Sequence, residues 1–146
     1  MSREILFKAK RKNWRELPKE EWWIEGNLIT DEMDADVAYI GYVLGSENGV
    51  IHDIDVAQIA PETLCQYTGL TDKNGKRIWE NDILHCRYHS EDDCIVVWYD
   101  GRFNFQTIHG QYNQDPMTFL SLCFTQRAVE RLTVIGNIFD NPELLE

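Results

Sequence analysis

No Lys or Arg occurs between Lys19 and Lys73, while residues 20–72 hold twelve carboxylates. Such a stretch repels a phosphate backbone, so no general nucleic-acid binding is expected. Long apolar runs are missing too. None approaches the length of a membrane-spanning helix, so no membrane association is expected. Residues 1–20 hold no uninterrupted apolar segment of the signal-peptide kind, and a cytoplasmic location follows as an expectation. Cysteine is sparse: Cys65, Cys86, Cys94 and Cys123 are widely spaced, which fits reduced, buried thiols. The sequence has no G-x-S-x-G, no P-loop and no H-E-x-x-H, so the common nucleophile, nucleotide and zinc-protease templates are empty. It has no internal repeat and no low-complexity segment.

What is present is a foldable chain of 146 residues, enough for one domain or one with a small appendage. Hydrophobic residues at 43% and aromatics at 12% supply a core and exclude global disorder. The net charge of −11 is unevenly placed. Residues 1–20 carry seven Lys/Arg against three Asp/Glu, and residues 21–146 carry seven against twenty-two. A basic opening before an acidic middle points to pairing of the two, within one chain or between copies.

Alternation and turn pairs dominate, so the chain reads as mainly β. Ile5, Phe7 and Ala9 share one side of an opening strand. Trp22-Trp23-Ile24 starts another, with Gly26-Asn27 as a candidate bulge. Val37 to Leu44 is apolar throughout, as in a strand covered on both faces. Residues 1–64 form a β-rich N-terminal region on this reading. Asp72-Lys73-Asn74-Gly75 has the composition of a tight hairpin loop. Glu80-Asn81-Asp82 interrupts an apolar run, which predicts a bend where the chain passes to another sheet or a barrel corner. Asp100-Gly101 joins the clearest hairpin and pairs Tyr99 with Arg102, Trp98 with Phe103 and Val96 with Phe105. Val96, Trp98, Phe103 and Phe105 are then expected in the core. Thr125 to Arg131 has the pattern of a short helix, and Pro142 opens a last helical turn.

The run Gln66-Tyr67-Thr68-Gly69-Leu70, then Asp72-Lys73-Asn74-Gly75-Lys76, Ile78-Trp79-Glu80 and Asp82-Ile83, resembles the signature of the YopX family of phage and prophage proteins. Val134-Ile135-Gly136-Asn137-Ile138 with Asn141-Pro142-Glu143-Leu144 is similar to that family's closing motif. Arg3-Glu4-Ile5-Leu6-Phe7-Lys8-Ala9 is similar to its opening. The resemblance covers nearly the whole chain. It departs at Asn81, where the family usually has Gly, and Asn also tolerates the left-handed region. The resemblance implies a small SH3-type, partly open β-barrel, placed here in residues 65–146, and a bacterial host cell. It implies no catalytic residues, because no biochemical activity is established for the family.

The candidate sites are few. His85, Cys86, His89 and Cys94 lie within ten residues. His85 and Cys86 are adjacent, so on a strand they face opposite ways, against the paired spacing zinc prefers. Counting back from Gly75 puts Leu70 where a calcium loop needs its first carboxylate. Asp34 with Asp36, Asp53 with Asp55, and Glu91-Asp92-Asp93 could bind a metal for phosphodiester hydrolysis, but such pairs are usually solvated edges. No catalytic residue, metal or cofactor is therefore expected. The expected function is that of a non-enzymatic accessory protein that binds protein, itself or a host protein, with homo-oligomers plausible. Its candidate interaction surface is Lys8, Lys10, Arg11, Trp22, Trp23, Ile95, Val97 and Tyr99. An acidic mimic occupying a host protein's nucleic-acid site is the competing class, and a metal-dependent hydrolase the weaker third.

Overall fold

Ten β-strands account for most of the described backbone. The computed structural model describes residues 3–86, 93–108 and 126–146, apart from the side chains of Cys86 and Ala128. The chain divides into two units, Met1–Gln66 and Tyr67–Glu146.

In the first unit, β1 (Phe7–Lys10) is an inner strand. On one side it pairs with β2 (Trp23–Thr30), from Phe7 opposite Gly26 to Lys10 opposite Trp23. On the other it meets the start of β5 (Cys65–Thr71), where Phe7 and Lys8 face Gln66 and Cys65. The basic opening is thus built into the sheet from Phe7 onward. Next come β3 (Ala38–Glu47) and β4 (Val50–Gln58), joined by Asn48-Gly49, both at positive φ as a two-residue hairpin turn requires. No bulge lies at Gly26-Asn27. Gly26 sits in regular register because its backbone crosses Gly41 closely: a Cβ there would meet the Gly41 carbonyl oxygen at 2.6 Å. Ala9, Ile24, Ala38, Ile40 and Ile59 form the core. The end of β4 returns to the end of β1, with Lys12 N donating to Gln58 O (2.9 Å) and Ala60 N to Lys10 O (2.9 Å).

The apolar run Val37–Leu44 is not covered on both faces. Strand β2 pairs with β3 only from Ala38 to Gly41. Past Gly41, β3 has β4 as its one partner among the described residues, and Tyr42, Val43 and Leu44 are exposed.

In the second unit, the rest of β5 pairs with β6 (Arg77–Trp79) around the Asp72–Gly75 loop. The loop is organised by one carboxylate. Asp72 Oδ1 accepts from the backbone N–H of Asn74 (2.8 Å) and Lys76 (2.9 Å). Asp72 Oδ2 accepts from Val134 N–H at 3.0 Å. Burial pushes the Asp72 carboxyl up, but these backbone donors and the Lys76 charge outweigh it, and its pKa lies below the ordinary value. Asn81 takes φ 71° and turns the chain, as the polar break predicts, from β6 into a different sheet through β7 (Asp82–Cys86).

That sheet also contains β8 (Cys94–Tyr99), β9 (Arg102–Thr107) and β10 (Leu132–Asn137), in the order β10-β7-β8-β9. Asn81 N donates to Val96 O (2.8 Å) and Ile138 N to Asn81 O (3.1 Å), fixing the bend to both neighbours. A bulge in β10 separates Val134 from Gly136. A Cβ on Gly136 would collide with the Asn141 side-chain amide, whose Oδ1 accepts from Asn137 N at 3.2 Å. Helix α1 is one turn, Gln126–Val129, and a 3₁₀ turn at Pro142–Leu145 closes the chain; Thr125, the cap expected from the sequence, lies outside the described residues. Ile78, Leu84, Cys94, Val96, Phe105, Val129 and Val134 form the core.

The β8–β9 hairpin has the expected register. Its face is only half core. Val96 and Phe105 are buried, but Trp98 is 53% exposed and stacks edge-on with Phe103 at 4.9 Å. The reason is strand length: β7 pairs with β8 only at Cys94 and Ile95, so the Trp98 end of the hairpin runs past its neighbour. The protein is mainly β, as expected. Among the described residues its two antiparallel sheets are not closed into a barrel.

Candidate functional site

Five of the eight residues expected at an interaction surface lie at the start of the chain. Lys10 is the surprise, since alternation places it on a polar face and it is only 2% exposed. Its Nζ lies 3.9 Å from the Trp14 ring centroid, 4.4 Å from Trp22 and 5.6 Å from Trp23. Lys8 Nζ lies 4.8 Å from Trp23. Trp14 also carries Arg15 on a ring face (4.4 Å), and Lys19 approaches Trp22 at 6.0 Å. Cations and indoles alternate, each cation attracted by the negative ring face. Trp22 Nε1 donates to Leu17 O, and Arg11 Nε to Glu21 O, both at 3.0 Å. The residues from Arg11 to Trp22, helical only in the short 3₁₀ turns Trp14–Glu16 and Lys19–Glu21, are thereby pinned onto β1 and β2. This cluster is an aromatic cage filled by the chain's own lysine, and its work is to hold that segment. Trp14 is not among the residues expected from the sequence, although only three residues separate it from Lys10 and the Trp pair follows it within nine positions.

The other three expected residues lie on β8. Ile95 and Val97 are half-buried and Tyr99 is exposed at the free end of its hairpin. Of the residues weighed as metal ligands, His85 pairs through Nδ1 with Asp93 Oδ1 at 2.7 Å. His89, Glu91, Asp92 and the Cys86 side chain lie outside the described residues. No group of three or more His, Cys, Asp or Glu converges among the described residues.

Among the described residues, exposed large apolar side chains cluster elsewhere, on the outer part of β3 and β4. Past Gly41 these strands form a two-stranded ribbon, Tyr42–Glu47 against Val50–Asp55. Its apolar side chains run from 38% exposed at Tyr42 to 66% at Val50. Cross-strand register puts Val43 with Ile54 and Gly41 with Val56 on one face. Ile29 and Val56 close over the glycine at position 41, each 3.1 Å from where its Cβ would be. The opposite face carries Tyr42, whose hydroxyl donates to Asp55 Oδ2 at 2.6 Å. That hydrogen bond, and then the Asp55 charge, push the Tyr42 hydroxyl above its ordinary pKa. Asp53 shares the Asp55 face by alternation. A two-stranded ribbon is at best marginal alone in water, so its exposed apolar faces call for cover.

The model of the YopX protein family matches residues 14–146. The chain belongs to the YopX family. It is also similar in structure to protein EF1440 from Enterococcus faecalis, with a TM-score of 0.59 and 27% identity over 99% of this chain and 100% of that one. The comparison with curated proteins found no match. The YopX signature residues have structural roles here. Asp72 clamps its loop to β10, Asn81 turns the chain between sheets, Asp82 Oδ2 accepts from Trp79 N (2.8 Å), and Gly136 makes room for Asn141. Each serves the backbone. In this YopX protein the apolar ribbon lies outside those motifs, so a reading that starts from the signature passes over it.

Proposed function

We propose that this YopX protein is a non-enzymatic binding module, an accessory protein of a phage or prophage working in the cytoplasm of its bacterial host. It holds a partner protein with the β3–β4 ribbon. One observation carries this reading: the ribbon presents apolar side chains to water on both faces, beyond the third strand that would bury them. Water-exposed apolar surface of this extent is the common mark of a protein-binding region. Nucleic acid is a poor candidate for the occupant. The cations at Lys8, Lys10, Arg15 and Lys19 sit against indole rings, and the ribbon carries Glu47, Asp53 and Asp55 with no Lys or Arg. No helix among the described residues is long and apolar enough to cross a membrane.

The test compares the wild type with Val43→Lys/Ile54→Lys as baits in host lysate, after circular dichroism establishes that both are folded. Proteins retained by the wild type should be lost by the double variant. Equal retention by the two baits would refute the ribbon as the binding element.

A further inference from the structure

The outer edge of β4 has two properties that together specify an occupant. From Val50 to Ala57 its outward backbone groups face no strand among the described residues, because β4 ends the sheet and only Gln58 and Ile59 are bridged back, to Lys12 and Arg11. Along that edge the side chains alternate in kind. Ile54 and Val56 point to one face, Asp53 and Asp55 to the other. Natural edges are commonly blunted with Lys or Pro, and β4 has neither.

We propose that β4 takes up an added strand from a partner protein, an extended segment in which apolar residues alternate with Lys or Arg. This rests on the protein-binding reading above and names the chemistry of its partner. The backbone of the incoming strand completes the edge hydrogen bonds. Its apolar side chains lie beside Ile54 and Val56, and its cations meet Asp53 and Asp55. A second copy of the chain fits the edge poorly. A two-fold antiparallel pairing of β4 centred on Asp53, Ile54 or Asp55 sets carboxylates opposite one another, and like charges directly opposite destabilise a sheet. The bulge at His52, between the pairs Gly45–Asp53 and Ser46–Ile51, limits the straight edge to the segment that carries those carboxylates.

The test uses three labelled peptides as long as β4, followed by fluorescence anisotropy with the intact protein. One alternates Val and Lys, one alternates Val and Glu, and one is the Val/Lys peptide with alternate amides N-methylated. The Val/Lys peptide should bind about tenfold or more tightly than the Val/Glu peptide, the sum of two cross-strand charge pairs. Added salt should weaken it, and N-methylation should abolish it. Asp53→Lys should abolish the preference between the two charged peptides, Asp53→Lys/Asp55→Lys should reverse it, and Ile54→Lys should weaken binding of the Val/Lys peptide. Equal binding of the Val/Lys and Val/Glu peptides would overturn the proposal, as would undiminished binding of the N-methylated one. So would a dimer in sedimentation that Ile54→Lys dissociates, since the occupant would then be a second copy. Failure of every peptide, with lysate partners still lost on Val43→Lys/Ile54→Lys, would overturn the basic strand and leave the ribbon as a binding element. Failure of both would overturn the two together.

Discussion

Replacing Asp72 by Asn tests whether the YopX signature works as a backbone clamp. The two carboxylate oxygens accept from three N–H groups, two in the exposed loop and one, on Val134, in the core. The loop amides can turn to water, so losing them costs little. Val134 N–H cannot, so an Asn turns its one accepting oxygen to Val134 and sets its NH₂ against the loop amides. The loop bonds are lost and the bond to Val134 loses its charge, so Asp72→Asn should destabilise by about 1–2 kcal/mol at neutral pH. The sign with pH follows from the depressed pKa. The folded-state value lies below the ordinary 3.8, so the contribution is fully present above 3.8 and is lost as pH falls through the folded value. Urea unfolding of wild type and variant, followed by tryptophan fluorescence and by exchange of the Val134 amide, should show the full gap near neutral pH and a closing gap in acid. Equal stability at neutral pH would refute the clamp. A gap that persists undiminished in strong acid would mean that shape, not charge, is what Asn fails to supply.

Lys10→Met should destabilise the first unit by about 2 kcal/mol or more, since a desolvated cation among indole rings is worth that much, and a shift in tryptophan emission should accompany it. Trp98→Ala should cost only about 1 kcal/mol in urea unfolding, because the ring is half in water and its chief contact is Phe103; a loss of about 3–5 kcal/mol would place it in the core after all. Gly136→Ala should lower stability by about 1–3 kcal/mol, as the new methyl displaces Asn141 from Asn137, and pairing it with Asn141→Ala should recover part of the loss in a double-mutant cycle.

The local chemistry of turns was legible in the sequence. Asp100-Gly101 fixed a hairpin register that the structure reproduces pair by pair, and Glu80-Asn81-Asp82 marked the passage between sheets. These are short-range rules, decided by φ preferences and alternation within a few residues. Burial was less legible, because it depends on how far the neighbouring strand extends. Val43 and Leu44 look like core by composition, and Trp98 looks like core by face, yet β2 and β7 stop short of them. The cage was hidden for a different reason. Lys10 lies where alternation predicts solvent, and only the fold of residues 11–22 brings Trp14 and Trp22 over it.

A lysine enclosed by three indoles is also closed to reagents. Acylating probes label an amine only when it is free to leave its pocket, so Lys10 should be modified far more slowly than the exposed Lys12 and Lys19 of the same segment. The rate at which it does react then measures how often the segment from Arg11 to Trp22 lifts away from the sheet. The chain carries a built-in clock for local opening, and one peptide in a mass spectrum reads it.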